Sequence, residues 1–456
     1  MPSTDAAVVG SPRFAPLVAV AAVALGQAVL VFGRRPLALI SISVALLAVS
    51  LAVFVRGGRP PRLRIGGVRA AIVVIGVGLL AQLIALATSS PALYAKPVDA
   101  RLLVAAGATA AVVIVAELAG IARFARVRLP ILAAIQLALG IWIIRASPAP
   151  LIDVYTFHLE ALRALGQGLD PYGRTIPNIY GHESFYGPGL VVDGRVQLGF
   201  PYPPLSLLMA GVGQVVAGDF RFAGAAAMAL AALLIGTCRP GRLAVGAAAL
   251  FLFMPRGLFV LEQGWTEPYV VLLLAATVWC ACRAPALVPL ALGLLLAVKQ
   301  YMILAAPLVV LLHAGPAPWR KAGRTLLQAA AVAAVVTLPF VVAGPAAFVR
   351  DVVMFQLYQP FRGDSLSYLA EWAHLTGRVP PSSWPGLLAV PVVVALCLWR
   401  APRGPAGFAA AVALTSLVLF AFSKQAFVNY YYFVIGALCC ALAATPPQAE
   451  DPAANR

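Results

Sequence analysis

Repeated apolar blocks constrain the fold of this chain more than any other feature of its sequence. The blocks are roughly 15–22 residues long, about the length that a helix needs to cross a hydrocarbon core of about 30 Å. Of the 456 residues, 62% are hydrophobic and only 11% are charged. Soluble proteins carry about a quarter charged residues because their surface faces water. The sequence therefore predicts an all-α, polytopic transmembrane helical bundle of about 12–14 spans.

The apolar pattern defines the spans that we expect. They are residues 15–33, 36–55, 68–88, 101–121, 130–147, 222–237, 243–260, 267–283, 285–298, 300–313, 324–343, 386–400, 405–422 and 427–444. The first segment lacks a clear cleavage site and is followed at once by more apolar blocks, so we interpret it as a retained span rather than a secretory signal. Residues 204–217 are also apolar. We expect them to lie flat or re-enter, because a crossing there would turn the later basic loops outward.

Positive charge indicates the orientation of the chain. The net charge is +17, and Lys and Arg collect in the cytoplasmic loops of membrane proteins. The basic run at 56–69 is interpreted as such a loop. It has no interleaved aromatic residues for base stacking, so nucleic acid is not an expected partner. With this loop inside, both termini are cytoplasmic, and loops 148–221 and 344–385 face outward from the plasma membrane with most of the acidic residues.

The six cysteines sit in apolar blocks or at their ends, and none lies in the long polar loops. An external disulfide framework is therefore not implied. Cys280 and Cys282 lack the histidine or second cysteine pair that a zinc site requires.

Asp153 is the candidate catalytic residue. It lies a few residues beyond a predicted membrane exit, between apolar neighbours. A carboxylate at that depth costs free energy unless it is paired or solvated by a cavity, so a functional role is one hypothesis. A cap for the helix that begins near Val154 is the other. Position alone does not decide between them.

Two further features of the first loop each allow two interpretations. The stretch Asp170-Pro171-Tyr172-Gly173 is a turn signal first, with the aspartate accepting backbone N–H groups. The loop aromatics could form an interfacial belt or flat platforms against sugar faces. These aromatics are Tyr172, Tyr180, Phe185, Tyr186 and Tyr202.

Three cations are predicted near the outer face: Lys299, Arg362 and Lys424. If they converge, they would suit a phosphate group, since arginine offers a bidentate fork and lysine a point charge. The alternative for the lysines is snorkelling to the interface. Glu262, Trp265 and Glu267 begin another span on the same side.

Several short motifs follow one another along the chain. They are Asp153-Val154-Tyr155, Gly168-x-Asp170-Pro171-Tyr172, Tyr202-Pro203-Pro204, Trp265-Thr266-Glu267-Pro268, Val298-Lys299-Gln300-Tyr301 and Arg362-Gly363-Asp364-Ser365-Leu366-Ser367. Their order and loop placement resemble the first external loop and later segments of the GT-C superfamily of glycosyltransferases. They are most similar to the polyprenol-phosphate-mannose-dependent mannosyltransferases of actinobacterial type. The resemblance covers roughly residues 130–440.

The resemblance implies a polyprenyl-phosphate sugar donor, inversion at the anomeric carbon, and Asp153 as the general base. It nominates Lys299, Arg362 and Lys424 for the donor phosphate. The candidates for substrate binding are Tyr155, Asp170, Tyr172, Tyr202, Glu267 and Gln300. Some relatives use a divalent metal. Because no second acidic residue stands beside Asp153, we expect no metal and no other cofactor.

These expectations divide the chain into N-terminal transmembrane helices of unknown role (1–128), a GT-C-like catalytic region (129–445) and a disordered cytoplasmic tail (446–456). The predicted enzyme is a hexosyltransferase that moves a sugar, mannose, to a glycolipid or glycan of the cell envelope. The alternative is a polytopic transporter or flippase of a lipid-linked sugar. That class is expected to show two similar halves, and the sequence has no obvious internal repeat. A non-catalytic scaffold is a third hypothesis.

Overall fold

The computed structural model describes residues 13–33, 35–55, 67–96, 99–182, 184–380 and 384–446. Most of the basic run at 56–69 and all but the first residue of the tail at 446–456 lie outside these ranges. The described chain is a helical bundle with a small sheet in the first long loop.

The elements are numbered in chain order. The N-terminal part contains α1 (Phe14–Leu30), α2 (Arg35–Phe54), α3 (Gly67–Thr88), α4 (Ala100–Leu118) and α5 (Ala125–Ala146). The first long loop contains α6 (Asp153–Gly166), β1 (Ile176–Pro177), β2 (Val191–Val192), β3 (Arg195–Val196) and α7 (Pro204–Ala217). The next group is α8 (Arg221–Thr237), α9 (Arg242–Leu252), α10 (Gly257–Glu262), α11 (Glu267–Arg283), a 3-10 turn (Pro285–Leu287) and α12 (Val288–Leu296).

After α12 the chain forms 3-10 turns at Gln300–Leu304 and Val309–Leu312, with the short α13 (Ala305–Leu308) between them. The long α14 (Pro318–Ala343) leads to the second long loop. That loop contains α15 (Pro345–Phe348), a π-helical turn (Val349–Met354), α16 (Phe355–Tyr358) and α17 (Tyr368–Thr376). The last helices are α18 (Trp384–Arg400), α19 (Pro405–Ala421) and α20 (Val428–Ala443).

Every predicted span coincides with a helix or with a run of helical turns, which confirms the predicted fold class of a polytopic helical bundle. Among the described residues, five helices are long and apolar enough to cross a membrane. They are α2, α3, α4, α5 and α14. Most of the other predicted spans are apolar helices of 10–17 residues. The largest deviation is at 243–260, where α9 ends at Leu252 and a short α10 follows after a turn.

The bundle exposes apolar side chains on its outside, as expected where the solvent is lipid. Helix α14 is the extreme case, with buried residues only at Ala322, Thr325 and Ala329. By contrast, all residues of α20 except Tyr430 are buried, and this helix forms the centre of the core. Helix α1 packs against α20, and α3 packs against α9. The N-terminal helices are therefore part of the same hydrophobic core.

Helix α7 lies in the segment that we expect not to cross separately. Its axis makes an angle of 110° with the axis of α8, so the two helices are nearer to perpendicular than to antiparallel. Its residues Val212, Val215 and Val216 are exposed. The bend is that of a re-entrant segment or of one broken span formed by both helices, so the expectation that residues 204–217 do not cross stays a prediction.

The two long loops are joined by one buried carboxylate. Asp351 Oδ2 accepts the N–H groups of Gly173 and Gly199, each at 2.8 Å, and Asp351 Oδ1 accepts from Arg350 at 2.8 Å. Beside this joint the three strands form an antiparallel sheet in the order β1-β3-β2, with Val196 at its centre. The loops thus form one folded layer over the ends of the helices.

Candidate active site

A cavity of about 580 Å³ lies between the two long loops and the helix ends beneath them. It is half-open, and aromatic side chains form much of its wall. Of the ten residues nominated from the sequence for catalysis or binding, four line it: Asp153, Tyr202, Lys299 and Arg362. Of the other loop aromatics, Tyr180, Phe185 and Tyr186 also line it, and Tyr172 does not.

Asp153 is the first residue of α6 and is half-buried in the cavity wall. Its own N–H donates to Tyr180 Oη at 3.2 Å, and its Oδ1 accepts the N–H of Val154 at 2.8 Å. The N-cap position of α6 is Ile152 and has no side-chain cap, so Asp153 does not cap the helix as one of the two hypotheses expects. Its carboxylate instead accepts the N–H of the next residue and faces the cavity.

Burial raises the pKa of Asp153 to about 6. The hydrogen bond from Val154, the positive charge of Arg362 and the contact with Tyr180 act in the opposite direction and lower it. Removing a carboxylate from water disfavours its charged form, which is why burial dominates. The group is ionised at neutral pH, and its proton affinity is high enough for a general base.

Lys299 approaches the cavity from the junction between α12 and the following 3-10 turn. Its Nζ lies 2.7 Å from Thr266 Oγ1, 3.3 Å from Glu267 Oε1 and 3.9 Å from the centre of the Tyr202 ring. Lys299, Thr266 and Glu267 are buried. Glu267 therefore supports the ammonium group from behind and does not line the cavity.

Arg362 comes from the second long loop. Its guanidinium forms two hydrogen bonds with Asp364, at 2.8 and 2.6 Å, and stacks 3.9 Å from the centre of the Phe185 ring. Phe427 lies on its other side, at 5.2 Å. Stacking and a bidentate carboxylate hold the planar group in one orientation.

Lys424 is near this cation only through its backbone. The Lys424 carbonyl accepts the N–H of Arg362 at 3.1 Å, but Nζ donates to the carbonyl of Leu357 at 2.7 Å. The side chain lines a separate cavity of about 480 Å³. The structure thus brings together two of the three predicted cations.

Tyr202 lines the cavity. Gln300 does not line it and is hydrogen-bonded to the backbone of Pro201, the residue before Tyr202. Gln300 Nε2 donates to the carbonyls of Pro201 and Val352, at 2.7 and 3.0 Å. This amide ties the second long loop to the first, so Gln300 supports the cavity and does not line it.

Three other sequence-predicted residues lie outside the cavity. The hydroxyl of Tyr155 donates to the carbonyl of Pro148. Asp170 accepts the N–H of Tyr172 at 3.0 Å, which is the turn contact described by one of the two interpretations. The hydroxyl of Tyr172 donates to the carbonyl of Tyr202 at 2.9 Å.

His158 lies one helical turn beyond Asp153 on α6 and is fully buried. Its Nδ1 is 2.8 Å from the carbonyl of Val154, and its ring stacks on Phe220 at 4.7 Å. Burial, followed by the nearby charge of Lys299, lowers the pKa of His158 to about 4. The ring is therefore neutral at pH 7, when it can orient the first turn of α6 but carries no charge.

Sequence reasoning missed several residues that line the cavity, chiefly Tyr94, Arg256, Gln263 and Asn429. Arg256 fell inside a predicted span. A signal was present, because Pro255 precedes it and prolines disfavour continuation of a helix, while a charge within an apolar segment suggests function. Tyr94 gave no comparable signal, because its position depends on contacts with residues far along the chain.

No group of three or more His, Cys, Asp or Glu side chains in the described ranges is arranged to hold a metal ion. All six cysteines are free thiols.

No family model and no curated protein matches the chain. Among solved structures, the fold is similar to the crystal structure of ArnT from Cupriavidus metallidurans bound to undecaprenyl phosphate. The TM-score is 0.44 and the sequence identity is 15%, and the match covers 70% of this chain and 60% of that chain. The chain thus spans less than two thirds of the length of that structure.

Proposed function

We propose that the protein is an integral membrane glycosyltransferase of GT-C type that uses a polyprenyl-phosphate sugar. The observation that carries the proposal is one cavity shared by Asp153, Lys299 and Arg362. A base with a raised pKa and two cations are the groups that sugar transfer from a lipid phosphate requires. The proposed location is the external face of the plasma membrane.

The reaction is a single displacement. Asp153 accepts the proton of an acceptor hydroxyl while that oxygen forms a bond to C1 of the sugar. The bond between C1 and the phosphate oxygen breaks, and its electron pair leaves with the polyprenyl phosphate. Lys299 and Arg362 stabilise the charge that grows on the phosphate. Attack opposite the leaving group inverts the anomeric carbon.

The position of the cavity suits a lipid-linked donor. The polyprenyl tail stays in the bilayer, so the sugar must be received at the ends of membrane helices. The cavity lies there, and its wall combines aromatic rings with polar groups. Aromatic faces such as Tyr202 offer apolar contact to a sugar ring. Mannose is the proposed sugar, and an envelope glycolipid or glycan is the proposed acceptor.

The test is the substitution Asp153→Asn in protein reconstituted into vesicles with radiolabelled polyprenyl-phosphate mannose. Because the amide cannot accept the hydroxyl proton, we expect sugar transfer to fall by about 10²-fold or more. Asp193→Asn is the matched control, since Asp193 is an exposed carboxylate in the same loop. Undiminished transfer by correctly inserted Asp153→Asn protein contradicts the assignment. Movement of the lipid across the vesicle membrane without transfer would instead support a flippase.

A further inference from the structure

The N-terminal helices reach the proposed active site. Phe32, just beyond the end of α1, and Ala92, Leu93 and Tyr94 from the connection between α3 and α4, line the same cavity as Asp153. We refer to residues 89–96 as the α3–α4 segment. Leu93 is 63% exposed, so its side chain is available to a molecule in the cavity.

A fully buried carboxylate holds this segment. Glu262, the last residue of α10, accepts the N–H groups of Leu93 at 2.7 Å, Tyr94 at 2.8 Å and Ala95 at 2.8 Å. It also accepts from Gln263 Nε2 at 3.1 Å. Charge-assisted hydrogen bonds to three consecutive N–H groups fix the backbone of a loop far more firmly than apolar contact alone.

Further contacts tie the segment to the chain that leads to the base. Tyr94 Oη donates to the carbonyl of Leu151 at 2.8 Å, two residues before Asp153. The N–H of Lys96 donates to the carbonyl of Ala146, the last residue of α5, at 3.0 Å. The α3–α4 segment is therefore hydrogen-bonded to both ends of residues 146–151, the stretch of chain that leads into α6.

Arg256 borders the segment on the other side. Its Nη1 lies 3.4 Å from the carbonyl of Ser90, and its guanidinium lies 5.7 Å from the centre of the Phe259 ring. A guanidinium has five N–H donors, and this half-buried group lines the cavity with donors to spare. Gln263 lines the cavity beside it.

We propose that the α3–α4 segment, together with Arg256 and Gln263, forms the acceptor subsite for a hydroxyl-rich carbohydrate. The assignment rests on the proposed function. An acceptor hydroxyl must arrive within hydrogen-bond reach of the base that takes its proton, and Tyr94 is bonded to the residues that carry this base. The Tyr94 ring offers a face to the sugar, and Arg256 and Gln263 offer hydrogen-bonding groups. Glu262 is a positioning residue.

The subsite gives the N-terminal helices a role in the reaction. The α3–α4 segment forms one wall of the proposed acceptor subsite, and the hydrogen bonds to Glu262 fix the position of that wall. Disturbing the segment should weaken acceptor binding and leave donor binding unchanged.

The experiment separates these two readouts in the full-length protein. Radiolabelled polyprenyl-phosphate mannose is the donor, and hydrolysis of this donor by water reports donor binding and activation without an acceptor. The acceptor probes are octyl α-mannoside and the glycolipids extracted from membranes of the source cells.

Leu93→Trp fills the subsite from an exposed position, and Tyr94→Ala removes its aromatic face. We expect each to raise the KM for the acceptor about tenfold or more, the scale of a lost pocket contact, while the KM for the donor stays within about twofold. Glu262→Gln should act in the same direction, and a shift confined to the acceptor KM distinguishes positioning from loss of fold. Leu169→Trp is the control, because Leu169 is exposed in the first long loop and does not line the cavity.

An unchanged acceptor KM in Leu93→Trp and Tyr94→Ala overturns the acceptor subsite and leaves the proposed function standing. A rise in the donor KM in these variants also overturns it. Donor hydrolysis by the unchanged protein without transfer to either probe has the same consequence. If the unchanged protein neither hydrolyses nor transfers the donor, the proposed function fails, and the subsite fails with it.

Discussion

At the scale of single residues, the proposed chemistry depends on the charge state of Asp153. Burial raises its pKa to about 6, and Arg362 counteracts that rise. The arginine thus has two effects in one cavity. In the proposed reaction it stabilises the donor phosphate, and it also lowers the pKa of Asp153.

The pH dependence of kcat/KM tests this pairing. Because the base works only when deprotonated, we expect activity to fall as the pH drops through about 6. In Arg362→Gln the opposing positive charge is gone, so the acidic limb should move to higher pH, and kcat/KM should fall at all pH values. Arg174→Gln, an exposed arginine of the same loop as Asp153, should leave the limb in place. An acidic limb unchanged in Arg362→Gln contradicts the pairing.

At the scale of structural elements, Asp351 is the joint between the two long loops. Its carboxylate accepts from Gly173 and Gly199 of the first loop and lies on the π-helical turn of the second. Gly199 packs so closely that an added Cβ would lie 2.6 Å from the carbonyl oxygen of Pro171 and 2.8 Å from Asp351 Oδ2. The walls of the cavity therefore depend on this contact for their spacing.

Asp351→Asn should loosen the joint. One acceptor oxygen becomes an amide donor, so the side chain can accept either from the two glycine N–H groups or from Arg350 but not from both, and the loss costs about 1–3 kcal/mol. We expect a lower thermal unfolding temperature in detergent, together with reduced transfer. Asp193→Asn is the control, because Asp193 is exposed and has φ 49°, a conformation that asparagine tolerates. Equal unfolding temperatures for Asp351→Asn and the unchanged protein would show that the joint is not needed.

The elements also show what could be predicted from sequence. The membrane helices could be predicted, because the length of an apolar segment is a local property of the chain. The position of the α3–α4 segment could not be predicted, because it depends on hydrogen bonds with Glu262 between residues that are 167–169 positions apart in the sequence. The direction of the Lys424 side chain could not be predicted either. The sequence predicts only that Lys424 and Arg362 lie near the same face, and side-chain packing decides which of two cavities the ammonium group lines.

At the scale of the whole molecule, one orientation governs the proposed function. The long loops, the cavity and Asp153 lie together at one end of the helices, and we propose from the positive-inside rule that this end faces outward. The sheet inside the first loop could not be predicted, because three strands of two residues leave almost no pattern in the sequence.

Single-cysteine labelling in a cysteine-free variant tests the orientation. Ser184 is exposed in the first long loop, and Ala314 is exposed in the turn before α14. In intact cells, an impermeant thiol reagent should label Ser184→Cys and spare Ala314→Cys until the membrane is opened. The reverse pattern would place the proposed active site in the cytoplasm.

Helix α14 connects that orientation to the thickness of the bilayer. Its predicted span, residues 324–343, extends about 30 Å at about 1.5 Å per residue, which matches a hydrocarbon core of about 30 Å. The basic residues Arg320 and Lys321 precede this span in the first turn of the helix. Few side chains of α14 are buried in protein, so we expect lipids to be most of its packing partners. The helix leads directly into the second long loop, which carries Arg362. We expect a thinner bilayer to increase the tilt of α14 and so to change the height of the cavity wall that carries Arg362.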